Sequence, residues 1–321
     1  LFLLLLFQDG AKLFLKEKTI VNLFDFNFRT LCFGFFVATL CAFFTALSDI
    51  LCKIFIEKRG ESGLSTLFVR WFFVIPFIIP FVFTNWQKID LKYLVLYFVG
   101  IPLEIIAAYF YMKALEISEA SLVLPFQSIT PIFIPLFSIF VLDDKYSLYG
   151  LGGVLLVGAG SFIILKSANS SGLEQLKWKK SSDMKAVFLM ILSSLIYSFT
   201  SVLGRYLALH IDPIFFGSTY MLSNSIIFSV IFLLLRKEKV KLIKPDKLSL
   251  LIGITMGIAV ITHFVAISKI EAAYMISIKR TSILFSVVLS KFFLQDKEFG
   301  KRFEGAFLML LGVIIVSLAA K

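Results

Sequence analysis

Ten stretches of mostly apolar residues follow one another along this 321-residue chain, each near the length of a bilayer-crossing helix. They lie near 33–56, 64–84, 92–113, 119–141, 148–165, 184–207, 213–235, 248–267, 271–294 and 303–320. A helix rising about 1.5 Å per residue needs roughly 20 apolar residues to cross a hydrocarbon core of about 30 Å. Water offers no comparable place for them: only 17% of residues are charged, against about a quarter in soluble domains. The 38 Phe are more than cores of this size could hide. The expected fold is an all-α polytopic membrane protein with ten transmembrane helices, multi-pass in the cell (plasma or inner) membrane. Residues 1–30 are set apart as an N-terminal leader.

The chain also repeats itself. A constant shift of 152 residues carries Lys53 onto Arg205, Ala107 onto Ala259, Ala114 onto Ala266 and Glu119-Ala120 onto Glu271-Ala272. It also carries Ser138 onto Ser290, Asp144-Lys145 onto Asp296-Lys297, Gly153 onto Gly305 and Gly160 onto Gly312. Two five-helix units follow, 31–166 and 184–321, joined by the polar loop 167–183, rich in Ser and Lys. An odd number of spans per unit makes the second copy enter the membrane upside down. Such an inverted repeat is the architecture with which secondary transporters place one site between two related halves. Gly153 and Gly160, seven apart on one helical face, are read as a close-packing seam; no strand precedes them and no GK[ST] follows, so phosphate cradling is not expected.

The run SEASLVLPFQSITPIFIPLFSIFVLDDKYS followed by a Gly-rich span resembles the EamA-type repeat of the drug/metabolite transporter superfamily. Pro125 and Pro131 take the place of its mid-helix proline, Asp143 or Asp144 its exit acid, and Arg70 the arginine many members carry in span two. The second half departs, reading SIKRTS over Ser277–Ser282 where proline would be expected. The resemblance implies ten helices, a cavity lined mainly by spans 1, 3, 4, 6, 8 and 9, and export or exchange of small metabolites. It also implies cytoplasmic termini. The loop charges argue the other way, with seventeen Lys and Arg on the far side against ten on the side of the termini.

Charges inside the spans carry the functional reading. Lys53, Arg70, Lys279, Arg280 and Lys291 are the cations there, Asp49 and Glu104 the acids. Each costs about 2.5–3.5 kcal/mol at mid-membrane on insertion scales. Lys53 and Lys291 lie near helix ends and can snorkel, and Asp49 with Lys53 is an i,i+4 pair. Glu104, Lys279 and Arg280 cannot escape. Glu104 is expected to neutralise one cation, leaving the other for a ligand. Lys279, Ser282, Ser286 and Ser290 form a polar stripe at helical spacing, answered in the first half by Gln127, Thr130 and Ser138. The phosphate-sugar branch of the superfamily also carries a Lys-Arg pair in its ninth helix, but Gln127 stands where a cation would strengthen that parallel.

Tyr111 and His263 correspond under the shift, and Tyr197 lies in span six; all three are candidate substrate contacts. Glu104 and His263 are the candidate proton carriers. Ser194, Thr200, Ser201, Ser223, Asn224 and Ser225 are read mainly as interhelical hydrogen bonds. Chemistry is not expected: two histidines and three cysteines, Cys32, Cys41 and Cys52, form no metal or redox spacing. Asp143-Asp144-Lys145-Tyr146 is read as a helix-end cap, and no Ser-His-acid set occurs. The expected function is secondary transport of a small anionic or zwitterionic metabolite by alternating access, as a monomer or homodimer, without cofactor, catalysis, metal or nucleic acid. The alternatives are a lipid-linked substrate flippase on the same fold or a non-transporting scaffold.

Overall fold

The computed structural model describes residues 18–118, 123–142, 144, 146–168, 181–235, 244–293 and 303–319. Expectations for the leader 1–17, most of the linker, Glu119-Ala120, Asp143, Lys145 and Asp296-Lys297 lie outside those residues, as do the side chains of Ser290 and Lys291.

Everything described is helical or a short connection. Helices α1 (Lys18–Arg59), α2 (Gly63–Phe72), α3 (Ile75–Thr84) and α4 (Leu91–Ile117) lead to a 3-10 helix, Leu124–Ile129, and α5 (Thr130–Val141). Then come α6 (Leu148–Ala168), α7 (Ser181–His210), α8 (Pro213–Leu235), α9 (Lys247–Ile267), α10 (Ala272–Lys279), α11 (Ser282–Phe293) and α12 (Phe303–Ala319). Among the described residues six helical stretches are long and apolar enough to cross a membrane: Thr30–Ile56, Gly63–Thr84, Leu91–Ile117, Met184–His210, Pro213–Leu234 and Lys247–Ile267. They correspond to the expected spans 1, 2, 3, 6, 7 and 8, and shorter apolar helices, Phe126–Val141, Leu148–Gly160 and Phe307–Val316, lie within spans 4, 5 and 10. The stretches 119–141 and 271–294 each divide at mid-depth, into the 3-10 helix and α5 and into α10 and α11.

Proline accounts for the first division. Pro125 and Pro131 sit at the starts of the 3-10 helix and of α5, where a missing N–H is harmless but continuation from the preceding turn is blocked. The second has no proline; α10 stops at Arg280-Thr281, where the Arg280 N–H is shared between the carbonyls of Ile276 and Ser277 and the Thr281 N–H turns back to Ile278.

Packing crosses between the two halves of the chain. The α6 helix lies on α12, α1 on α9, and α4 on α7. Two buried hydrogen bonds tie the last two pairs: Cys41 Sγ donates to the Ala259 carbonyl at 3.4 Å, and Ser193 Oγ to the Ala107 carbonyl at 2.9 Å. Cys41 and Ser193 differ by 152 in number, as do Ala107 and Ala259, so one contact is made twice. On α6 and α12 the carbonyl of Gly312 lies 2.8 Å from where a Cβ on Gly153 would stand, and that of Gly305 2.7 Å from one on Gly160. Outward faces carry Phe36, Phe83, Phe140 and Leu148, all exposed, as a lipid-facing surface requires.

Candidate functional site

The broken helices end where polar residues collect. Chain direction places Arg59 and Asp246 at one end of the bundle, where α1 stops and α9 starts, and Arg205, Asp144 and Ile267 at the other. Between them is a cavity of about 170 Å³, lined from α1, α2, α4, the 3-10 helix, α7, α8, α9 and α10. That is far above the roughly 10–15 Å³ one water requires.

Of the residues predicted for a site, Glu104, Tyr111, Gln127, Tyr197, His263, Lys279 and Arg280 all line this cavity. Their pairing differs from expectation. Arg280, only 7% exposed, donates through Nη1 to Gln127 Oε1 at 2.5 Å. Its Nε is buried without a protein partner. Lys279 Nζ lies 3.5 Å from His263 Nδ1. Glu104 stands in the same wall but forms no salt bridge with either cation. In place of the expected neutralisation by Glu104, the contacts of the two cations are Gln127 for Arg280 and His263 for Lys279. Gln127 is no weakness of the site: its carbonyl oxygen fixes the guanidinium.

Ser282 falls outside the lining. The stripe Lys279, Ser282, Ser286, Ser290 assumes one continuous helix, and the turn at Arg280-Thr281 resets the rotation, so Ser282 is buried at the start of α11 instead.

Asp49 accepts from Arg70 Nη1 at 2.8 Å, both side chains being largely buried. The Arg70 Nε turns to Met256 Sδ at 3.2 Å. This contact between α1 and α2 cannot be read from i,i+4 spacing, which sees only one helix. Trp71, Tyr220, Met256 and Phe264 also line the cavity and were not singled out from the sequence; nothing distinguishes them there from the surrounding aromatic and apolar residues. Thr200, Ser201 and Asn224 join them. Ser194 donates to the Phe126 carbonyl at 3.1 Å and Ser223 shares a hydrogen bond with Tyr97 at 2.8 Å, as expected of interhelical serines.

Asp144 is not a helix-end cap. It lies 3.7 Å from Arg205 Nε and accepts from the Tyr146 hydroxyl at 3.0 Å. Arg205 also donates to the carbonyls of Ile267 and Ile270, closing that end of the bundle with one side chain from α7. Burial holds the Asp144 carboxyl above the usual carboxylate range, against the opposing pull of Arg205. At the other end Arg59 pairs with Asp246, which caps α9 by accepting from the Ser249 N–H at 3.1 Å. Among the described residues no three His, Cys, Asp or Glu side chains gather as a metal site.

An apolar helical bundle around a charged cavity fits a membrane protein with a central polar site. Residues 32–166 and 184–318 each match the EamA-like transporter family, and the chain belongs to that family. It is a multi-pass integral membrane protein, consistent with the plasma or inner membrane. One solved crystal structure superposes with a TM-score of 0.70 at 16% identity, covering 90% of this chain and 98% of that one; at that identity it speaks for the fold alone. No curated protein matches the sequence.

Proposed function

We propose that this protein is a secondary transporter moving a small anionic or zwitterionic metabolite by alternating access, built as ten spans in two inverted five-helix repeats. The repeats are 31–166 and 184–321, with 167–183 as the polar linker. The 152-residue offset between the two family matches and the duplicated Cys41 and Ser193 contacts support the repeat.

The observation that carries the functional reading is Arg280. A buried guanidinium that lines the cavity, is held at Nη1 by a neutral amide and forms no salt bridge is the natural seat of an acidic group. Such a cation is costly unless something answers it. Lys279 reinforces the positive field there, and Tyr111 and Tyr197 offer hydroxyls to orient the remainder. Glu104 and His263 are the candidate proton carriers in coupled transport. Alternation follows from the two end closures: Arg205 with Asp144 on one side and Arg59 with Asp246 on the other must open in turn as the halves rock. The termini face the cytoplasm, and the active unit is a monomer or homodimer.

The test uses purified protein in vesicles. A thermal-shift screen of small carboxylates and amino acids finds a ligand that stabilises the folded state. Counterflow of that ligand is then measured in wild type and in Lys279→Gln and Arg280→Gln. Loss of counterflow with unchanged folded yield is expected; unchanged counterflow in both variants sinks the site. Labelling a cysteine placed in the 166–183 loop from outside intact cells reads the orientation.

A further inference from the structure

The charges lining the cavity do not balance. Arg70, Lys279 and Arg280 face Asp49 and Glu104, and no other lining residue is an acid or a strong base. Asp49 is committed to Arg70 at 2.8 Å. Lys279 Nζ lies 3.5 Å from His263 Nδ1, a neighbour that brings no carboxylate to it. One carboxylate, Glu104, is left to face two cations, and the cavity keeps one excess positive charge. A transporter must at some point close this cavity to water on both sides, and the excess is then least screened.

Each class of ligand changes that balance differently. A zwitterion could set its carboxylate on Arg280 and its ammonium on Glu104, but it brings no net charge and leaves the excess in place. A cation doubles it, and a dianion reverses it. Only a monoanion brings the closed cavity to neutrality.

Shape narrows the class further. Trp71, Tyr111, Tyr197, Tyr220 and Phe264 line the cavity, giving flat aromatic walls around the Arg280 guanidinium, which forms no salt bridge. The volume, about 170 Å³, is close to the roughly 150 Å³ of a dry protein cavity that accepts benzene. We infer that the site selects a monocarboxylate with a single flat aromatic body over zwitterions and cations of the same size, its carboxylate on Arg280 and its ring between the aromatic walls. This rests on the reading of the cavity as the transported ligand's site.

Four probes sharing one phenylpropyl frame isolate the charge: 3-phenylpropanoate, its amide 3-phenylpropanamide, the zwitterion phenylalanine and the cation 3-phenylpropylamine. Binding is read from calorimetry on detergent-purified full chain and from the fluorescence of Trp71 in the cavity wall, with Trp86→Phe and Trp178→Phe removing the other two tryptophans. The anion is expected to bind about tenfold or more tightly than the other three, and Arg280→Gln to erase its advantage over the amide. Glu104→Gln raises the excess to two charges and should shift preference toward the dianion phenylsuccinate, a gain that a misfolded variant cannot produce. Phenylalanine binding as tightly as 3-phenylpropanoate, equal binding of anion and amide, or no binding by any of the four overturns the inference. Counterflow of 3-phenylpropanoate separates it from the broader reading. The stated preference without counterflow leaves the binding site and removes the transporter. Counterflow of a zwitterion or aliphatic acid without the preference does the reverse.

Discussion

Two adjacent glycines in α6 should respond to alanine with opposite signs. A Cβ at Gly152 meets nothing within 4 Å, so Gly152→Ala gains only the helical preference of alanine, about 0.5–1 kcal/mol. One residue on, a Cβ at Gly153 would stand 2.8 Å from the Gly312 carbonyl oxygen and 2.9 Å from the Val316 nitrogen. Both atoms belong to the α12 backbone and cannot rotate away. The α6 and α12 helices must part by roughly half an ångström, a gap that forfeits about a quarter to a half of each dispersion contact along the seam. Overpacking of this kind costs about 1–3 kcal/mol, which exceeds what alanine returns to the helix. Gly153→Ala is therefore expected to lower unfolding free energy by about 1–2 kcal/mol. Gly312→Ala should match it, because a Cβ there meets the Gly153 oxygen at 2.7 Å. Once the helices have separated for one methyl the second costs less, so the double variant should fall short of additivity. Equilibrium unfolding of the purified chain in mixed micelles measures all four. Equal stability of Gly152→Ala and Gly153→Ala, or full additivity of Gly153→Ala with Gly312→Ala, would refute the shared-seam reasoning.

Other consequences follow from the ends of the bundle and from the first helix break. Asp246→Ala removes the cap of α9 and should cost about 1 kcal/mol in thermal or denaturant unfolding, whereas Asp246→Asn keeps an acceptor and costs less. Burial raises the Asp246 carboxyl, but the Ser249 hydroxyl and amide, with Arg59, outweigh it and hold it below the usual carboxylate range. Its stabilising contribution is present above the unfolded value and lost as pH falls through the folded one; an acid titration of stability should therefore flatten in Asp246→Asn. At the other end, Arg205→Gln leaves Asp144 without its cationic neighbour and weakens the hold on the Ile267 and Ile270 carbonyls, and should destabilise more than Arg205→Lys. A double-mutant cycle with Asp144→Asn should return a coupling of about 0.5–3 kcal/mol, and a coupling of zero would remove the pair from the closure. Ser198→Ala loses the 3.0 Å bond to the Thr130 carbonyl and should cost about 0.6–1 kcal/mol by the same unfolding assay.

The helical units and their relation were legible because they rest on periodic signals: apolar length gives the spans, and a constant register gives the repeat. The same register would have located the Cys41 and Ser193 contacts had the two residues been compared, since a thiol and a hydroxyl of similar size donate to matched alanine carbonyls. The cavity residues Glu104, Gln127, Lys279 and Arg280 were visible as polar groups too deep to reach water. Their pairing was not, because partners come from different helices whose rotation about their axes the sequence does not encode. Asp49 illustrates the limit: four residues from Lys53 along one helix, it accepts from Arg70 on the next. Asp144 illustrates it again, since an acid after a helix suggests a local cap, while its cationic neighbour comes from α7.

The two helix breaks show how a repeated scaffold acquires an asymmetric site. The register carries Thr130, where α5 starts, onto Ser282, where α11 starts, so the breaks occupy equivalent places. They are supported by different chemistry. In the first half Pro131 interrupts the ladder; Ser194 from α7 donates to the Phe126 carbonyl, and Ser198 shares its proton between the Ser194 carbonyl of its own helix and the Thr130 carbonyl across the break. Buried backbone acceptors freed by a broken helix need such donors. The counterparts of those serines in α1 are Ala42 and Ala46, which donate nothing, and the second break instead satisfies itself, with Thr281 Oγ1 on the Ile278 carbonyl at 2.7 Å. A break that needs no outside donor leaves its neighbouring side chains free for other partners. Arg280 uses that freedom to reach Gln127 at the first break. The register places Lys279, a cation, opposite the neutral Gln127; had both been cations, the two breaks would repel across the cavity. An amide in one half and a Lys-Arg pair in the other let the breaks bond to each other while leaving positive charge facing the cavity.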